Sequence, residues 1–237
     1  MLSRATSSLQ DCPLLPLYFL AGFLSRAQSH SISNNQAGDQ SLAELFNKYN
    51  SDKASLHAYD SAYSLLFSGL RDDRLNMLEI GIGSNDTSIP FNMGNTGSIG
   101  ASLFSWREYF PNAHIYGADI DPSCMFEATR IKTYICNQLS FASVRQMGSL
   151  ATSADAGHKK RFFDICIDDG YHSFGANSRT YLALKPFLRT GHIYIIEDVS
   201  PWMEIAWKGF SLIHSLNVRI FKFPSSQQPL LMIVLTE

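Results

Sequence analysis

The sequence is short of the features that mark several common protein classes. Among its 237 residues are only four cysteines, and no two of them are spaced as a Cys-x-x-Cys pair. Neither a zinc knuckle nor a disulfide framework is therefore indicated, and reduced thiols in the cytoplasm are expected. The apolar run at residues 13–24 is too short to cross a bilayer as a helix, so no stable membrane insertion is expected.

An excess of charge of either sign is also missing. The chain has 19 Lys and Arg against 21 Asp and Glu, a formal net charge of -2. This balance argues against a nucleic-acid partner or a membrane surface recognised through bulk electrostatics. A hydrophobic content of 45% is enough for one good-sized core. We therefore expect one domain that acts on a small molecule, and the sequence leaves a homo-oligomer open.

The first 40 residues differ in character from the rest. Ahead of the apolar run lie a single base, Arg4, and an acid, Asp11, and the run itself contains two prolines, which is a poor match to a signal peptide. The segment Ser29–Gln40 is rich in Ser, Asn and Gln. We expect residues 1–40 to form a flexible N-terminal extension, with a weak signal-like segment as the alternative, and residues 41–237 to form the domain.

From Ser41 onward helices and strands alternate. Ser41 and Glu44 form a capping box ahead of a helix, and a second helix is predicted at Ala58–Leu70, so that residues 41–75 cap the domain. The predicted strands are Asn76–Ile80, His114–Ile120, Thr133–Cys136, Phe162–Ile167, His192–Ile196, Asn217–Phe223 and Leu230–Leu235. The helices between them are predicted at Ala101–Phe110, Phe141–Ser149 and Phe174–Leu188. This order predicts an α/β, Rossmann-like doubly wound fold with a mostly parallel seven-stranded sheet and a C-terminal antiparallel hairpin turning at Pro224–Pro229.

Polar residues lie where the first two strands end. Glu79 interrupts an apolar strand, and Gly81 and Gly83 follow it in a turn where missing Cβ atoms let a ligand approach the backbone, although a plain tight turn would use the same glycines. The next strand ends in Asp119 and Asp121, a position that suits a carboxylate binding ribose hydroxyls. No third glycine follows at the spacing of a dinucleotide fingerprint, which favours S-adenosylmethionine over NAD.

A second polar group follows the fourth and fifth predicted strands. Asp168 and Asp169 end one strand, with His172 shortly after them, and Glu197 and Asp198 end the next. Carboxylates at neighbouring strand ends need a counter-ion, and oxygen ligands favour a magnesium-like cation. His172 is the candidate base, since a histidine beside such a cation can accept the proton of an acidified hydroxyl. For Asp168 or Asp169 alone, capping of the following helix is the alternative.

Other residues have a structural interpretation beside a functional one. The charged segment Lys48–Lys53 either closes over the cofactor or forms a solvated loop. Trp202 and Trp207, with Met203, either roof an acceptor pocket or belong to the core. The stretch Asn92–Gly97 is a lid or a plain loop.

Taken together, these motifs make the chain resemble the class I methyltransferase family that includes the macrocin and mycinamicin sugar O-methyltransferases, and more closely a group of uncharacterised bacterial relatives. The resemblance covers about Ser41–Glu237. It is carried by Lys48–Lys53 with His57 and Tyr59, Leu78–Gly83, Gly100–Leu103 with Trp106, Tyr116–Asp121, Ile167–His172 and Ile196–Val199.

The resemblance implies a role for each part of the site. Glu79, Gly81 and Ser102 would line the methionine end of the cofactor, Asp119 would hold the ribose, and Asn137 and Gln138 would flank the adenine. The whole set expected at the cofactor is Glu79, Gly81, Gly83, Ser102, Asp119, Asp121, Asn137, Gln138 and Asp168.

For the reaction, the resemblance implies that Asp169, Glu197 and Asp198 bind magnesium and that His172 deprotonates a sugar hydroxyl. The chain departs from the family at Asn137, where relatives usually carry Asp, and at Tyr171, which replaces a smaller residue and narrows the acceptor pocket. These departures leave the acceptor open.

The sequence thus predicts an S-adenosylmethionine-dependent O-methyltransferase, assisted by Mg²⁺, whose small-molecule acceptor is a sugar or a glycoside. Two alternatives remain. One is a hydroxylase-like oxidoreductase in which the same acids and His172 hold iron, although carboxylates with one histidine suit magnesium better than a two-histidine iron site. The other is a non-catalytic protein that binds a nucleoside cofactor.

Overall fold

The computed structural model describes residues 40–55, 58–153, 161–223 and 230–237. The predictions for residues 1–39, including the signal-like segment, lie outside the described residues. The same holds for His57 and for the hairpin turn at Pro224–Pro229. A domain that begins at residue 41 therefore stays a prediction.

Three helices precede the first strand: α1 Leu42–Lys48, α2 Asp52–Ser55 and α3 Asp60–Phe67. The predicted capping box is present at α1, where the Ser41 hydroxyl accepts the Glu44 N–H and the Glu44 carboxylate accepts the Ser41 N–H at 2.7 Å. The helix predicted at Ala58–Leu70 begins later, because Ala58 has a left-handed φ of 57° that an α-helix does not accommodate. The short helix α2 was not predicted.

Within the described ranges, eight strands form one mixed sheet in the order β3-β4-β2-β1-β5-β6-β8-β7. Their bounds are β1 Asn76–Ile80, β2 His114–Asp119, β3 Glu127–Ala128, β4 Ile131–Ile135, β5 Phe163–Asp168, β6 Leu188–Val199, β7 Asn217–Phe223 and β8 Leu230–Thr236. The central strands β4, β2, β1, β5 and β6 are parallel, whereas β8 is antiparallel to both β6 and β7. The Rossmann-like arrangement and the antiparallel C-terminal pair agree with the prediction.

The predicted count of seven strands was wrong. The additional strand, β3, has two residues and pairs antiparallel with β4 at the edge of the sheet. A strand of that length is too short to show the alternation from which strands are predicted.

Four further helices are α4 Ala101–Tyr109, α5 Phe141–Thr152, α6 Phe174–Leu184 and α7 Glu204–His214. Helix α6 ends before the predicted Leu188, because Lys185–Phe187, which contains a proline, forms a 3-10 turn. Helix α7 was not predicted from the sequence. Its buried residues include Trp207 and Phe210, but Ile205 and Leu212 on the same helix are each 82% exposed. Because apolar residues lie on several sides of the helix, its sequence lacks the regular spacing of apolar residues from which a helix is predicted.

Hydrophobic side chains cover both faces of the sheet, as a largely parallel sheet requires. One face packs against α5, α6 and α7, and the other against α1, α3 and α4. Met77, Ile167 and Ile195 belong to the second face. Because side chains alternate along a strand, the acids two residues further on point the same way. These acids are Glu79, Asp169 and Glu197.

Candidate functional site

The loops at the carboxyl ends of the central strands enclose a cavity of about 730 Å³. It lies where the strand order reverses, since β2 pairs with one side of β1 and β5 with the other, and open α/β sheets bind ligands at that point. The predicted site residues that line the cavity are Glu79, Gly81, Gly83, Ser102, Asp119, Asn137, Gln138, Asp169, His172, Glu197 and Asp198. Asp121 and Asp168 are not among the residues that line it.

Glu79 is 1% exposed and has side-chain partners on two helices. The indole Nε1 of Trp106 donates a hydrogen bond of 2.8 Å to Glu79 Oε2, and Lys53 Nζ lies 3.2 Å from Oε1 in an ion pair. Burial raises the pKa of Glu79, and Lys53 opposes that shift. Ser102 hydrogen-bonds to the same carboxylate, and its Oε1 meets Lys53 as an ion pair without the geometry of a hydrogen bond. Glu79 can therefore accept a bond from a ligand in the cavity.

The turn after β1 needs glycine for a reason that the sequence did not show. Gly81 has a φ of 83°, and a Cβ built on it would lie 2.1 Å from the backbone carbonyl oxygen of Asp169. A Cβ at Gly83 would instead meet the flexible side chain of Met93. Gly81 thus lets the loops after β1 and β5 approach each other, in addition to exposing backbone to the cavity.

The carboxylate of Asp119 lies at the end of β2 and braces this turn. Its Oδ2 accepts the Ile82 N–H at 3.0 Å and its Oδ1 accepts the Asp121 N–H at 3.1 Å. Asp121 accepts hydrogen bonds from Ser84 and Ser123, which lower its pKa to about 2. Asp119 therefore faces the cavity, whereas Asp121 ties two loops together.

Asp168 occupies the face of the sheet opposite to Asp169. It is fully buried, its Oδ1 accepts a bond from Gln138 Nε2, and its Oδ2 accepts one from Tyr194 Oη at 3.0 Å. Burial raises the pKa of Asp168, and its hydrogen bonds oppose the shift. Gln138 in turn accepts the Tyr171 N–H at 2.7 Å. Asp168 thus orients Gln138, and its predicted contact with the cofactor stays untested.

Lys53 joins the acids on the cavity side. Its side chain is 3% exposed, and its ammonium ion contacts Asp169 Oδ2 at 2.8 Å and also Glu197. Burial alone lowers the pKa of Lys53, but Asp169, Glu197 and Glu79 outweigh it and raise the pKa well above its usual value. A solvated position for this part of Lys48–Lys53 was therefore wrong. Exposed Lys48, in contrast, pairs with Glu108 at 2.8 Å.

Glu197 and Asp198 each accept a bond from a tyrosine of the N-terminal helical region. Tyr63 donates to Glu197 Oε1, while Lys53 takes Oε2. Tyr59 donates to Asp198 Oδ1. Burial raises the pKa of Glu197 well above its usual value, Asp169 adds to the shift, and Lys53 opposes it. No role was predicted for Tyr63, and Tyr59 was named only among the residues that carry the family resemblance.

Asp169, His172 and Asp198 offer ligand atoms that all lie within 4.8 Å of one another. Two carboxylates and an imidazole are donors that a divalent cation accepts, so this group fits the predicted metal. In this arrangement both oxygens of Glu197 are engaged by protein donors. The structure thus brings Glu197 to the same cavity as Asp169, His172 and Asp198.

Several residues with strained backbones lie around this group. Asn50, Phe91, His172 and Asp198 all have positive φ angles, of 59°, 60°, 49° and 52°, and all line the cavity. Such conformations persist where surrounding structure holds them, and they concentrate at functional sites. The Phe91 ring packs edge-on against His172 at 4.9 Å and against Tyr171 at 5.5 Å. Phe91 had not been singled out from the sequence, where it reads as one residue of a polar loop.

The predictions for the tryptophans, the helix cap and the Asn92–Gly97 stretch have different outcomes. Trp207 and Met203 are core residues, Trp202 is 75% exposed, and none of the three lines the cavity. Helix α6 is capped by Ser173, so capping by Asp168 or Asp169 was wrong. Part of the Asn92–Gly97 stretch lines the cavity. None of the helices in the described ranges has the length and apolar composition of a membrane span.

Comparison with known proteins identifies relatives of this chain, although no family model matches the chain. It is 32% identical over 168 residues to 8-demethyl-8-alpha-L-rhamnosyl tetracenomycin-C 2'-O-methyltransferase of Streptomyces olivaceus, covering 71% of the chain and 40% of that protein. It is 30% identical over 194 residues to demethylmacrocin O-methyltransferase of Streptomyces fradiae, covering 81% of the chain and 44% of that protein. The chain thus spans about two fifths of the length of these curated relatives.

A similar fold occurs in a solved structure, the MycE methyltransferase from the mycinamycin biosynthetic pathway in complex with Mg, SAH and mycinamycin VI. The TM-score is 0.62 at 24% identity, over 84% of this chain and 55% of that one. This likeness supports the Rossmann-like methyltransferase fold. The chain is therefore similar to the macrocin and mycinamicin sugar O-methyltransferases, and the predicted resemblance to this family is confirmed.

Proposed function

We propose that the chain is an S-adenosylmethionine-dependent O-methyltransferase, assisted by a divalent cation, that methylates a hydroxyl of a sugar or a glycosylated small molecule. The observation that carries the proposal is the convergence of Asp169, His172 and Asp198 beside a cavity that also contains Glu79 and Asp119. The names of the relatives supply the acceptor class.

The cofactor end of the cavity fits a nucleoside with a charged amino acid tail. Glu79 Oε1 is a buried acceptor that meets Lys53 as an ion pair without a hydrogen bond, and a ligand ammonium group would share it. Asp119 presents a carboxylate at the end of β2, where ribose hydroxyls bind in this fold class. Asn137 and Gln138 also line the cavity and would flank the base.

The reaction is a direct displacement. The acceptor oxygen forms a bond to the methyl carbon as the bond from that carbon to sulfur breaks, and a ring nitrogen of His172 takes the hydroxyl proton. Asp169 and Asp198 would hold the divalent cation, together with Glu197 as the family resemblance implies, and the bound cation would lower the pKa of the acceptor hydroxyl. The cavity walls contribute by holding the two reactants in line, which can supply most of the rate.

The oxidoreductase alternative requires a different donor set. Among the described residues, the group that could hold a metal contains one histidine and two aspartates. Non-haem iron oxygenases commonly use two histidines and one carboxylate. The sugar or glycoside acceptor and the cytoplasmic location remain proposals from the sequence, which leaves the exact acceptor and the oligomeric state open.

The proposal predicts that Asp169→Ala abolishes turnover while binding of S-adenosylhomocysteine survives, because Asp169 contacts the cation and Glu79 the cofactor. Methyl transfer would be followed by mass spectrometry over a panel of glycosides and sugar nucleotides, and cofactor binding by calorimetry. Asp73→Ala, at an exposed acid before β1, is the matched control and should leave both unchanged. Tight binding of NAD in place of S-adenosylhomocysteine would refute the proposed function.

A further inference from the structure

Lys53 is a buried base at the centre of the acidic strand ends. It belongs to the four-residue helix α2, and it is 2% exposed. Its ammonium ion meets one carboxylate from each of three neighbouring strands: Glu79 of β1 at 3.2 Å, Asp169 after β5 at 2.8 Å, and Glu197 of β6. Glu79 lies at the proposed cofactor end, and Asp169 belongs to the group that fits a metal.

We propose that Lys53 is a positioning residue that holds Glu79, Asp169 and Glu197 in one arrangement, so that cofactor and divalent cation both meet carboxylates that are already gathered. This proposal rests on the proposed function for the identity of the two ligands. It assigns to Lys53 no contact with either of them.

Without a shared cation these three acids would repel one another. Like charges brought together in a buried site either separate or lose their charge, and an ion pair that loses one partner leaves an uncompensated buried charge. Two other donors at the acids reach one acid each: Trp106 reaches Glu79, and Tyr63 reaches Glu197. Lys53 alone among these three donors bridges all three acids.

The ammonium ion does not make the site repel a metal. Four carboxylates, those of Glu79, Asp169, Glu197 and Asp198, face the cavity beside the one ammonium ion of Lys53, so the acids outnumber the base there. A dication is still attracted strongly.

Loss of the residues that orient metal ligands typically lowers metal affinity by about 10- to 100-fold.

The test is a titration of the metal-free protein with Mn²⁺ in the absence of cofactor, in which calorimetry measures the binding. A separate titration measures the binding of S-adenosylhomocysteine. Lys53→Met is expected to weaken Mn²⁺ binding by about 10-fold or more, and to weaken S-adenosylhomocysteine binding as well through Glu79. Lys53→Arg, which keeps the charge, should recover part of the loss. Lys48→Met removes a neighbouring exposed lysine and should change neither affinity.

Mn²⁺ binding that is unchanged or tighter in Lys53→Met overturns the proposal, as does Lys53→Arg behaving no better than Lys53→Met. Circular dichroism establishes that each variant folds. If Lys53→Met does not, Lys53→Gln takes its place, because an amide keeps hydrogen-bond donors without the charge, and the same loss is required of it. Wild-type protein that binds neither ligand would instead refute the proposed function.

Discussion

The buried acids of the site are matched by donors from helices α2, α3 and α4. Trp106 of α4 donates to Glu79, Tyr63 of α3 donates to Glu197, and Lys53 of α2 contacts both acids. An ionised carboxylate taken out of water costs several kcal/mol unless such partners are in place. Helices α2, α3 and α4 therefore do more than cover the sheet, since they supply the groups that stabilise a buried acidic site.

Trp106→Phe is expected to lower the free energy of unfolding by about 2–4 kcal/mol, because it removes a hydrogen bond to a charged group and leaves a small cavity. Trp106 is fully buried and packs against the rings of Phe46 and Tyr63 at 4.9 Å. Urea denaturation followed by circular dichroism measures the change. Trp202→Phe, at a 75% exposed site, should stay within about 0.5 kcal/mol of the parent. Equal effects at the two positions would contradict this account.

At the scale of elements, the end of β6 shows how two consecutive acids reach one cavity. In a regular strand Glu197 and Asp198 would point to opposite faces. The pairing of β6 with β8 shifts register between Ile196 and Val199, and Asp198 there has a φ of 52°. An irregularity of this kind redirects a side chain, so both acids line the cavity. Asp tolerates the left-handed conformation better than most residues do.

The close approach of the loops after β1 and β5 gives a prediction for Gly81→Ala. The added methyl group would meet the Asp169 backbone 2.1 Å away, so we expect a loss of stability of about 3 kcal/mol or more and weaker binding of S-adenosylhomocysteine. Gly191→Ala is the matched control, because its φ of 78° is similar and nothing lies within 4 Å of the added atom. That variant should lose only the backbone term, about 1–2 kcal/mol. Thermal unfolding and calorimetry compare the pair, and a Gly81→Ala protein as stable as Gly191→Ala would refute the steric argument.

At the scale of the whole molecule, stability is linked to pH through His192, which lies in β6 five residues before Glu197. His192 is 1% exposed, its Nδ1 lies 2.9 Å from the Arg189 carbonyl oxygen, and its Nε2 is buried without a hydrogen-bond partner. Burial lowers the pKa of His192 below its usual value of 6.5, and the Arg189 contact opposes the shift. The unfolded chain therefore binds this proton more readily than the folded one.

This linkage predicts that the His192 contribution to stability is complete above about pH 6.5 and is lost as the pH falls from there through the lowered pKa of the folded state. His192→Asn keeps a donor for the Arg189 carbonyl group and removes the titration. We expect the free energy of unfolding, measured by urea denaturation at a series of pH values, to fall less steeply below pH 6.5 in this variant than in the parent. Parallel curves for the two proteins would show that His192 does not titrate in this way.

Much of the fold could be predicted because its signals are local. The strands β1 and β7 begin and end where the apolar runs predicted, and the helix predicted at Ala101–Phe110 is one residue shorter. Elements without such signals were missed, namely α2, α7 and the two-residue β3. For the site, the acids at the strand ends could be chosen because a carboxylate after an apolar strand is costly without a function.

The sequence by itself determined the order of strands and helices and placed the acids at the strand ends, since periodicity and turn residues act over a few positions. Only the tertiary structure decided which side chains meet. Lys53 and Glu197 are 144 positions apart, Asp168 orients Gln138 from the opposite face of the sheet, and Gly81 makes room for a loop from another strand. Contacts of this kind depend on sheet order and on the irregular end of β6, which arise from packing across the whole molecule and leave no local pattern in the chain.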